Sequence, residues 1–267
     1  PVYDLLVSKS AYMWIVLTPG ATVTGLGKRE FILDHQPIAK RRPPKRGPRG
    51  LPLLHEDKDI LVVDKPAGLL TVGSERDKMR TAHYLLNDYV RKGDPKSRNR
   101  VYVVHRLDQD TSGILLFAKS EAAKKFLQEN WELTEKHYLA IVEGRLISKE
   151  GTISSALVEN NAQRVYSTPD ASKGKLSHTA YKLLQGTSRF SLVEVHLLTG
   201  RKHQIRVHFA EQGHPVAGDK KYGNGELIAK RLALHARSIS FVHPFHGRKM
   251  TFDTGMPEDF VRLLAKM

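Results

Sequence analysis

The sequence from Val103 to Gly113 reads VVHRLDQDTSG, and the apolar run ILLF follows it at residues 114–117. Two predicted strands therefore flank a short turn that holds histidine, arginine, two aspartates, threonine and serine. A turn that only reverses the chain needs glycine, asparagine or proline and little more. Here a carboxylate and a guanidinium lie at the ends of strands, where functional loops are common. From these residues alone two interpretations stay open: a polar hairpin loop that satisfies its own backbone, and a loop that carries chemistry.

The charge of the chain restricts its partners. Its 267 residues include 43 Lys and Arg against 28 Asp and Glu, which gives a formal net charge of +15 and a pI of about 9.9. Such an excess of positive charge predicts a polyanionic partner, most simply nucleic acid. An anionic membrane surface is the alternative. Because the sequence has no long apolar span and no basic amphipathic helix with an aromatic face, no membrane association is expected.

Two further observations concern the compartment. Cysteine is absent, which excludes disulfides and thiol chemistry. The first residues do not show the basic-then-apolar order of a signal peptide. We therefore expect a cytoplasmic protein.

Composition divides the chain in two. Residues 1–50 form an N-terminal extension that ends in the basic, proline-rich linker KRRPPKRGPRG at 40–50. Proline and like charges prevent such a segment from packing compactly. The linker is either a solvated spacer or an arm that lies along a phosphate backbone. Residues 51–267 form the main domain.

Helix and strand signals are mixed in the main domain without a regular alternation. Thr81 and Ser120 are predicted to cap two helices whose apolar residues recur at helical spacing. Several strands follow one another directly, which is typical of an α+β fold with a mixed, largely antiparallel sheet flanked by helices. The predicted strands cover residues 60–63, 136–144, 151–157, 176–184 and 190–198.

A second stretch of chemical interest reads LTGRKHQIRVHFAEQGHP at residues 198–215. A helix is predicted over 202–212, closed by a glycine and buried through Ile205 and Phe209. Arg201, Lys202 and Arg206 would then cluster near a helix N-terminus, where backbone N–H groups favour anions. The cluster is either a phosphate or carboxylate site or a solvated basic face.

A metal site is not expected. His203 and His208 are five residues apart, whereas a zinc pair on a helix needs a spacing of four. Asp108 and Asp110 could bind magnesium in a nuclease-like arrangement, but only the distant Asp219 offers a third carboxylate.

The motifs resemble the RluA-type pseudouridine synthase family. HRLDQDTSGILLFAKS at 105–120 looks like the signature of that family. The flanking blocks occur in the family's order across roughly residues 53–267: VDKPAGL (63–69), KHY (136–138), TGRKHQIR (199–206), HPVAGD (214–219) and LHA (234–236). Residues 8–40 resemble the tail of the alpha-L RNA-binding domain that such enzymes often carry, so the extension is predicted to hold part of that domain.

The resemblance implies a reaction in which a uridine of RNA loses its N-glycosidic bond, rotates its uracil and rejoins it through carbon 5. The reaction changes no redox state, so neither cofactor nor metal is expected. Asp108 would be the catalytic carboxylate, either as nucleophile or as the base that starts glycal formation. Arg201 would pair with it, Tyr138 would lie against the uracil, and Arg106 would fill the gap left by the flipped nucleotide. The remaining substrate-binding residues are expected to be His105, Lys136, His203, Gln204 and Arg206.

The resemblance also implies a pseudouridine-synthase-like fold with the active site in a central cleft. The substrate is expected to be large-subunit ribosomal RNA more than transfer RNA, and no obligate protein partner is predicted. Thr111 to Gly113 are interpreted as structural. Two alternatives remain: a non-catalytic RNA-binding protein, and a metal-dependent nuclease built on Asp108 and Asp110.

Overall fold

The computed structural model describes residues 47–48, 50–73, 77, 79–225 and 229–265. Nearly all of the N-terminal extension lies outside these ranges. The alpha-L segment and the basic linker therefore remain predictions.

The described residues form eleven strands, four α-helices and one short 3₁₀ helix. The strands are β1 Leu53–Glu56, β2 Ile60–Lys65, β3 Tyr102–Val103, β4 Ser112–Ala118, β5 Glu135–Glu143, β6 Glu150–Glu159, β7 Val165–Thr168, β8 Lys175–Gly186, β9 Phe190–Leu197, β10 Leu234–Val242 and β11 Lys249–Asp253. The helices are α1 Ala82–Arg91, α2 Glu121–Glu129, α3 Gln204–Glu211 and α4 Glu258–Leu264, and the 3₁₀ helix is Trp131–Leu133.

The strands form one mixed sheet in the order β1-β2-β4-β10-β5-β9-β8-β6-β7, with β3 added to β4 and β11 added to β10. β4 and β10 run parallel, and the other strand pairs are antiparallel. The prediction of a largely antiparallel sheet flanked by helices is confirmed. None of the helices in the described ranges is long and apolar enough to span a bilayer.

Helices cover both faces of the sheet at β2 and β4, which explains why residues 60–63 and 114–118 of these strands are all apolar. Leu61 and Val63 pack with residues of α1 on one face. Ile60 and Val62 pack with residues of α2 on the other. A third apolar cluster joins β5 and β9 to α3 and α4. The core is thus built on either side of β10.

The two predicted helix caps are confirmed. The Thr81 side chain accepts a hydrogen bond from the Tyr84 N–H, and the Ser120 side chain accepts one from the Ala123 N–H. The third helix starts two residues later than predicted. His203 adopts a left-handed backbone conformation, φ 54°, directly before α3, and a residue in that conformation cannot belong to an α-helix.

The sheet divides where β4 meets β10, and the division places the site. The two strands pair only through Ser112 and Gly113 with His235 and Ala236. Beyond that contact β4 pairs with β3, and β10 pairs with β11. Gly113 has φ 113°, and a Cβ at this position would lie 2.3 Å from the Ala236 carbonyl oxygen. Only glycine permits this close approach of the two strands. The loop 104–111 ends directly before β4.

Candidate active site

A cleft of about 1170 Å³ lies at the division of the sheet. Its walls come from the loop before β4, the segment 200–206 at the start of α3, the turn between β6 and β7, and residues 218–221. The two chemically rich stretches of the sequence thus meet in one cleft. Asp108, Tyr138 and Arg201 all line it.

Asp108 presents a half-buried carboxylate to this cleft, with its side chain 24% exposed. Its Oδ2 accepts a hydrogen bond from Arg206 Nη1 at 3.1 Å. His203 Nε2 lies 3.8 Å from the same oxygen. Within the described part of the chain, Oδ1 has no hydrogen-bond donor. One carboxylate oxygen is therefore held by the protein, and the other is available to a substrate.

The partner of Asp108 is Arg206, so the predicted pairing of Asp108 with Arg201 is wrong. Arg206 is buried and also donates from Nε and Nη2 to the two Asp219 oxygens, at 2.7 and 2.8 Å. Although burial works against the cation, the hydrogen bonds that Arg206 donates to Asp219, together with the Asp219 charge, raise the pKa of Arg206 above its ordinary value. Arg206 is thus a fixed cation that joins two carboxylates rather than a free substrate-binding group.

Asp219 holds Arg206 in place in this arrangement. Burial acts to raise its pKa, but the Arg206 hydrogen bonds and the N–H groups of Lys221 and Tyr222 outweigh burial and lower it. The carboxylate is therefore ionised and fully engaged. It is not available as the third ligand of a magnesium site with Asp108 and Asp110.

Arg201 and Lys202 are both exposed on the wall of the cleft. Lys202 forms an ion pair with Glu159, whereas Arg201 has no ion pair within the described ranges. The predicted three-residue anion site is thus divided, because Arg206 points inward. Of the two exposed cations, Arg201 is the one without an ion pair to a described residue.

The prediction that Gln204 binds substrate receives no support from its contacts. Its side chain is 2% exposed. Its Oε1 accepts from the Thr199 hydroxyl and the Arg201 N–H, and its Nε2 donates to His178 O and Thr179 Oγ1. All of its donors and two acceptor positions are engaged, so Gln204 shapes the loop that carries Arg201.

His105 and Lys136 also serve the scaffold. His105 Nε2 accepts the Leu116 N–H at 3.0 Å, and its ring packs on Trp131. Burial lowers the pKa of His105 to about 3, so the imidazole is neutral. Lys136 is 8% exposed, donates to Thr134 O at 2.8 Å and lies over the same Trp131 ring. The prediction that both bind substrate receives no support from these contacts.

Tyr138 and Arg106 differ in burial. Tyr138 lies on β5 with its ring against the apolar clusters on either side of β10. Burial, together with the nearby Asp108 charge, raises its pKa, so the phenol is neutral. Arg106 is exposed on the cleft wall, and it has no ion pair with the described residues.

Tyr222 was not predicted as a site residue, yet it determines which ring nitrogen of His203 carries the proton. Its hydroxyl oxygen accepts the Val165 N–H at 3.0 Å and lies 2.7 Å from His203 Nδ1. Because the described residues offer the hydroxyl proton no other acceptor, the hydroxyl donates to Nδ1. Nε2 therefore carries the imidazole proton and faces Asp108. Burial lowers the pKa of His203, which favours the neutral ring over the imidazolium. The sequence feature that could have identified Tyr222 is its position three residues after Asp219.

Lys65 is a second residue whose position the sequence did not reveal. Its side chain is fully buried, and Nζ donates to the carbonyl oxygens of Pro66, Leu69 and Gln109, at 3.0, 2.7 and 3.0 Å. Burial lowers its pKa to about 8. Since Gln109 follows Asp108 directly, Lys65 fixes the loop that carries Asp108.

Within the described residues, Asp57, Asp59 and His243 have ligand atoms close enough to hold a metal ion. His243 Nδ1 accepts backbone N–H groups from Phe245 and His246, so its proton resides on Nε2 and is donated to Asp57. A metal would require the lone pair of that nitrogen. The contacts favour a hydrogen-bonded clamp between two turns.

Comparison with known proteins gives consistent matches. A family model described as RNA pseudouridylate synthase matches residues 59–211. The chain is 36% identical over 242 residues to an uncharacterized RNA pseudouridine synthase, YhcT, of Bacillus subtilis, covering 89% of this chain and 78% of that protein. It is 34% identical over 243 residues to ribosomal large subunit pseudouridine synthase D of Zymomonas mobilis, covering 85% and 76%.

The solved structure of human RNA pseudouridylate synthase domain containing 4 has a similar fold. Its TM-score is 0.67 at 23% identity, and the match covers 80% of this chain and 92% of that one. The residues matched by the family model include the loop that carries Asp108 and the helix that carries Arg206.

Proposed function

The chain belongs to the RNA pseudouridylate synthase family, and on that premise we propose that Asp108 is the carboxylate with which it converts uridine to pseudouridine in RNA. The observation that carries the proposal is the unequal state of the two carboxylate oxygens. Oδ2 is held by Arg206 at 3.1 Å, and Oδ1 is open to the cleft. A fixed rotamer with one free oxygen is what nucleophilic or general-base attack requires.

Asp108 starts the reaction in one of two ways. As a nucleophile it attacks the ribose C1′ while the C1′–N1 bond breaks; as a base it removes a ribose proton and gives a glycal. In both, the uracil leaves through N1, turns and forms the C1′–C5 bond. In the first route the Asp108–C1′ bond breaks as the C1′–C5 bond forms; in the second the ribose takes its proton back from Asp108. C5 then loses its proton, and N1 gains one. Atoms and electrons balance without an external reactant, so the proposal includes no cofactor.

Arg206 orients Asp108. Its guanidinium donates a charge-assisted hydrogen bond to Oδ2 at 3.1 Å, which fixes the carboxylate rotamer. Asp219 fixes the guanidinium in turn with two further hydrogen bonds. Since Arg206 is buried, the attraction is not screened by bulk water. The role that the resemblance gave to Arg201 therefore belongs to Arg206.

Tyr138 supplies an apolar wall for the uracil. Its raised pKa keeps the phenol protonated at neutral pH, so the ring packs against the base and a tyrosinate is not the resting base. Arg106 and Arg201 are exposed and unpaired within the described residues. Arg106 fills the stack vacated by the flipped uridine, and Arg201 binds a neighbouring phosphate.

The favoured substrate is large-subunit ribosomal RNA. One relative is named a ribosomal large subunit pseudouridine synthase at 34% identity. The net charge of +15 suits a large polyanion of this kind. Transfer RNA is the second candidate substrate, and mapping of pseudouridines in both RNAs from a deletion strain decides between them.

The test compares Asp108→Asn with Asp110→Asn, which removes an exposed carboxylate from the same loop. We expect Asp108→Asn to bind RNA normally and to lose about 10²–10⁴-fold in release of tritium from carbon 5 of uridine, the contribution typical of a catalytic proton-transfer group. Asp110→Asn should retain activity. Turnover by Asp108→Asn near the wild-type rate refutes the assignment. Shortening of the RNA by the wild-type protein, stopped by chelation of metal ions, supports the nuclease instead.

A further inference from the structure

The loop that joins α1 to β3 carries a dense set of cations. We call residues 91–100 the basic loop. It contains five basic residues and one acidic residue, Asp94. All five basic side chains are exposed. They are Arg91, Lys92, Lys96, Arg98 and Arg100.

None of these five cations forms an ion pair with a residue that the structure describes. Some exposed cations elsewhere on the described surface are paired, as in Lys249 with Glu135 and Arg262 with Glu258, but only the basic loop places five unpaired cations within ten residues. In the basic loop, Asp94 accepts the Lys96 N–H through Oδ1 and so supports the backbone. Unpaired like charges on one short loop repel one another and do not stabilise the fold. Their concentration indicates an anionic partner.

The loop is held in place by hydrogen bonds to the preceding helix. Asn87 Oδ1 accepts the Val101 N–H at 3.0 Å, and Asn99 Nδ2 donates to Val90 O at 3.4 Å. Lys92 ends α1 in a left-handed conformation, with φ 55°. The cations are therefore carried on a fixed backbone, which lowers the entropy lost on binding.

The loop also lies beside the cleft along the chain. Val103 is the third residue after Arg100 and lines the cleft, as does Arg106. Three residues span at most about 11 Å. An RNA strand that leaves the cleft on the β3 side therefore meets the basic loop.

We propose that the basic loop binds phosphates of the substrate RNA outside the catalytic cleft, an inference that rests on the proposed function. The loop contributes affinity for RNA and does not contribute to the chemical step. Three phosphate contacts should add about 2 to the slope of log K against log salt, since single strands contribute about 0.7 per contact. At 0.1 M salt this corresponds to roughly 100-fold in Kd relative to 1 M.

The test measures binding of in vitro transcribed bacterial large-subunit ribosomal RNA over a salt series. The loop variant is Lys96→Gln/Arg98→Gln/Arg100→Gln. The matched control, Arg145→Gln/Lys149→Gln/Lys182→Gln, removes three exposed cations outside the cleft and the loop. We expect the salt slope of the loop variant to fall by about 2, with kcat unchanged at saturating RNA. The control should keep the wild-type slope.

Equal slopes for the two triple variants overturn the proposal, because net charge alone would then explain the binding. A fall in kcat at saturation also overturns it, since the loop would then act on the chemistry. If the triple variant unfolds, Arg98→Gln alone should lower the slope by about 0.7, and an unchanged slope in that variant refutes the contact. Failure of the proposed function is separate: wild-type protein would then release no tritium, whatever its salt slope.

Discussion

The first prediction decides whether Arg206 or Arg201 is the functional partner of Asp108. It compares the variants Arg206→Lys and Arg201→Lys. Arg206 uses three nitrogens to join Asp219 to Asp108. A lysine keeps the charge, but it lacks the planar fork that bridges two carboxylates. Loss of one hydrogen bond between charged groups costs about 1.5–3 kcal/mol, or roughly 10- to 150-fold in rate. Arg201 is exposed and makes no ion pair with Asp108, so Arg201→Lys should change kcat by less than about fivefold.

The assay is single-turnover tritium release at saturating RNA, with thermal unfolding measured in parallel. Lysine is preferred to alanine because Arg206→Ala leaves the buried Asp219 carboxylate without a cation, at a cost of about 3–5 kcal/mol in stability. A greater loss of kcat in Arg201→Lys than in Arg206→Lys would refute the reasoning. It would restore Arg201 as the functional partner of Asp108.

Three further predictions concern residues around the cleft. Tyr222→Phe removes the donor to His203 Nδ1, so ¹⁵N NMR of the histidine ring should show loss of the Nε2–H tautomer, and a spectrum like that of the wild type would contradict the assignment. The pKa of Lys65 is lowered from 10.5 to about 8 in the folded state, so the unfolded chain binds more protons between these values and stability due to Lys65 should rise with pH there. Denaturant unfolding should therefore show the wild type gaining up to about 3 kcal/mol relative to Lys65→Met over that range, whereas parallel curves would rule this out. Gly113→Ala places a Cβ 2.3 Å from the Ala236 oxygen and should cost at least about 1–3 kcal/mol, visible as a lower Tm; an unchanged Tm would speak against the close strand contact.

Local signals in the sequence predicted much of the fold. The apolar run at 60–63 and the caps Thr81 and Ser120 each became the expected strand or helix start. These features depend on neighbours within one turn or one strand, so the sequence displays them directly. The mixed sheet order depends on pairings more than a hundred residues apart, and periodicity alone does not encode it.

The site was predicted in composition but not in detail. The motif offers two arginines five residues apart, and nothing local tells which one faces the aspartate. The left-handed His203 decides it, because the helix then starts at Gln204 and directs Arg206 inward. Asp219 is distant in sequence from Asp108, so their common partner becomes visible only in the folded chain.

The place of β10 in the sheet has a consequence for the order of folding. β10 lies between β4 and β5 and is among the last strands in the chain. Until β10 has been synthesised, the sheet consists of two separate parts. One part contains β1, β2, β4 and β3, and the other contains β5, β9, β8, β6 and β7. Asp108 lies between β3 and β4 of the first part, and Arg206 lies in α3, which follows β9 of the second part. A nascent chain that has not yet delivered Leu234–Val242 therefore holds the carboxylate and its cation on unconnected parts, and long-range pairing of this kind folds slowly. Catalytic competence arrives with the final strands, so an unfinished chain meets RNA only as a basic, inactive binder.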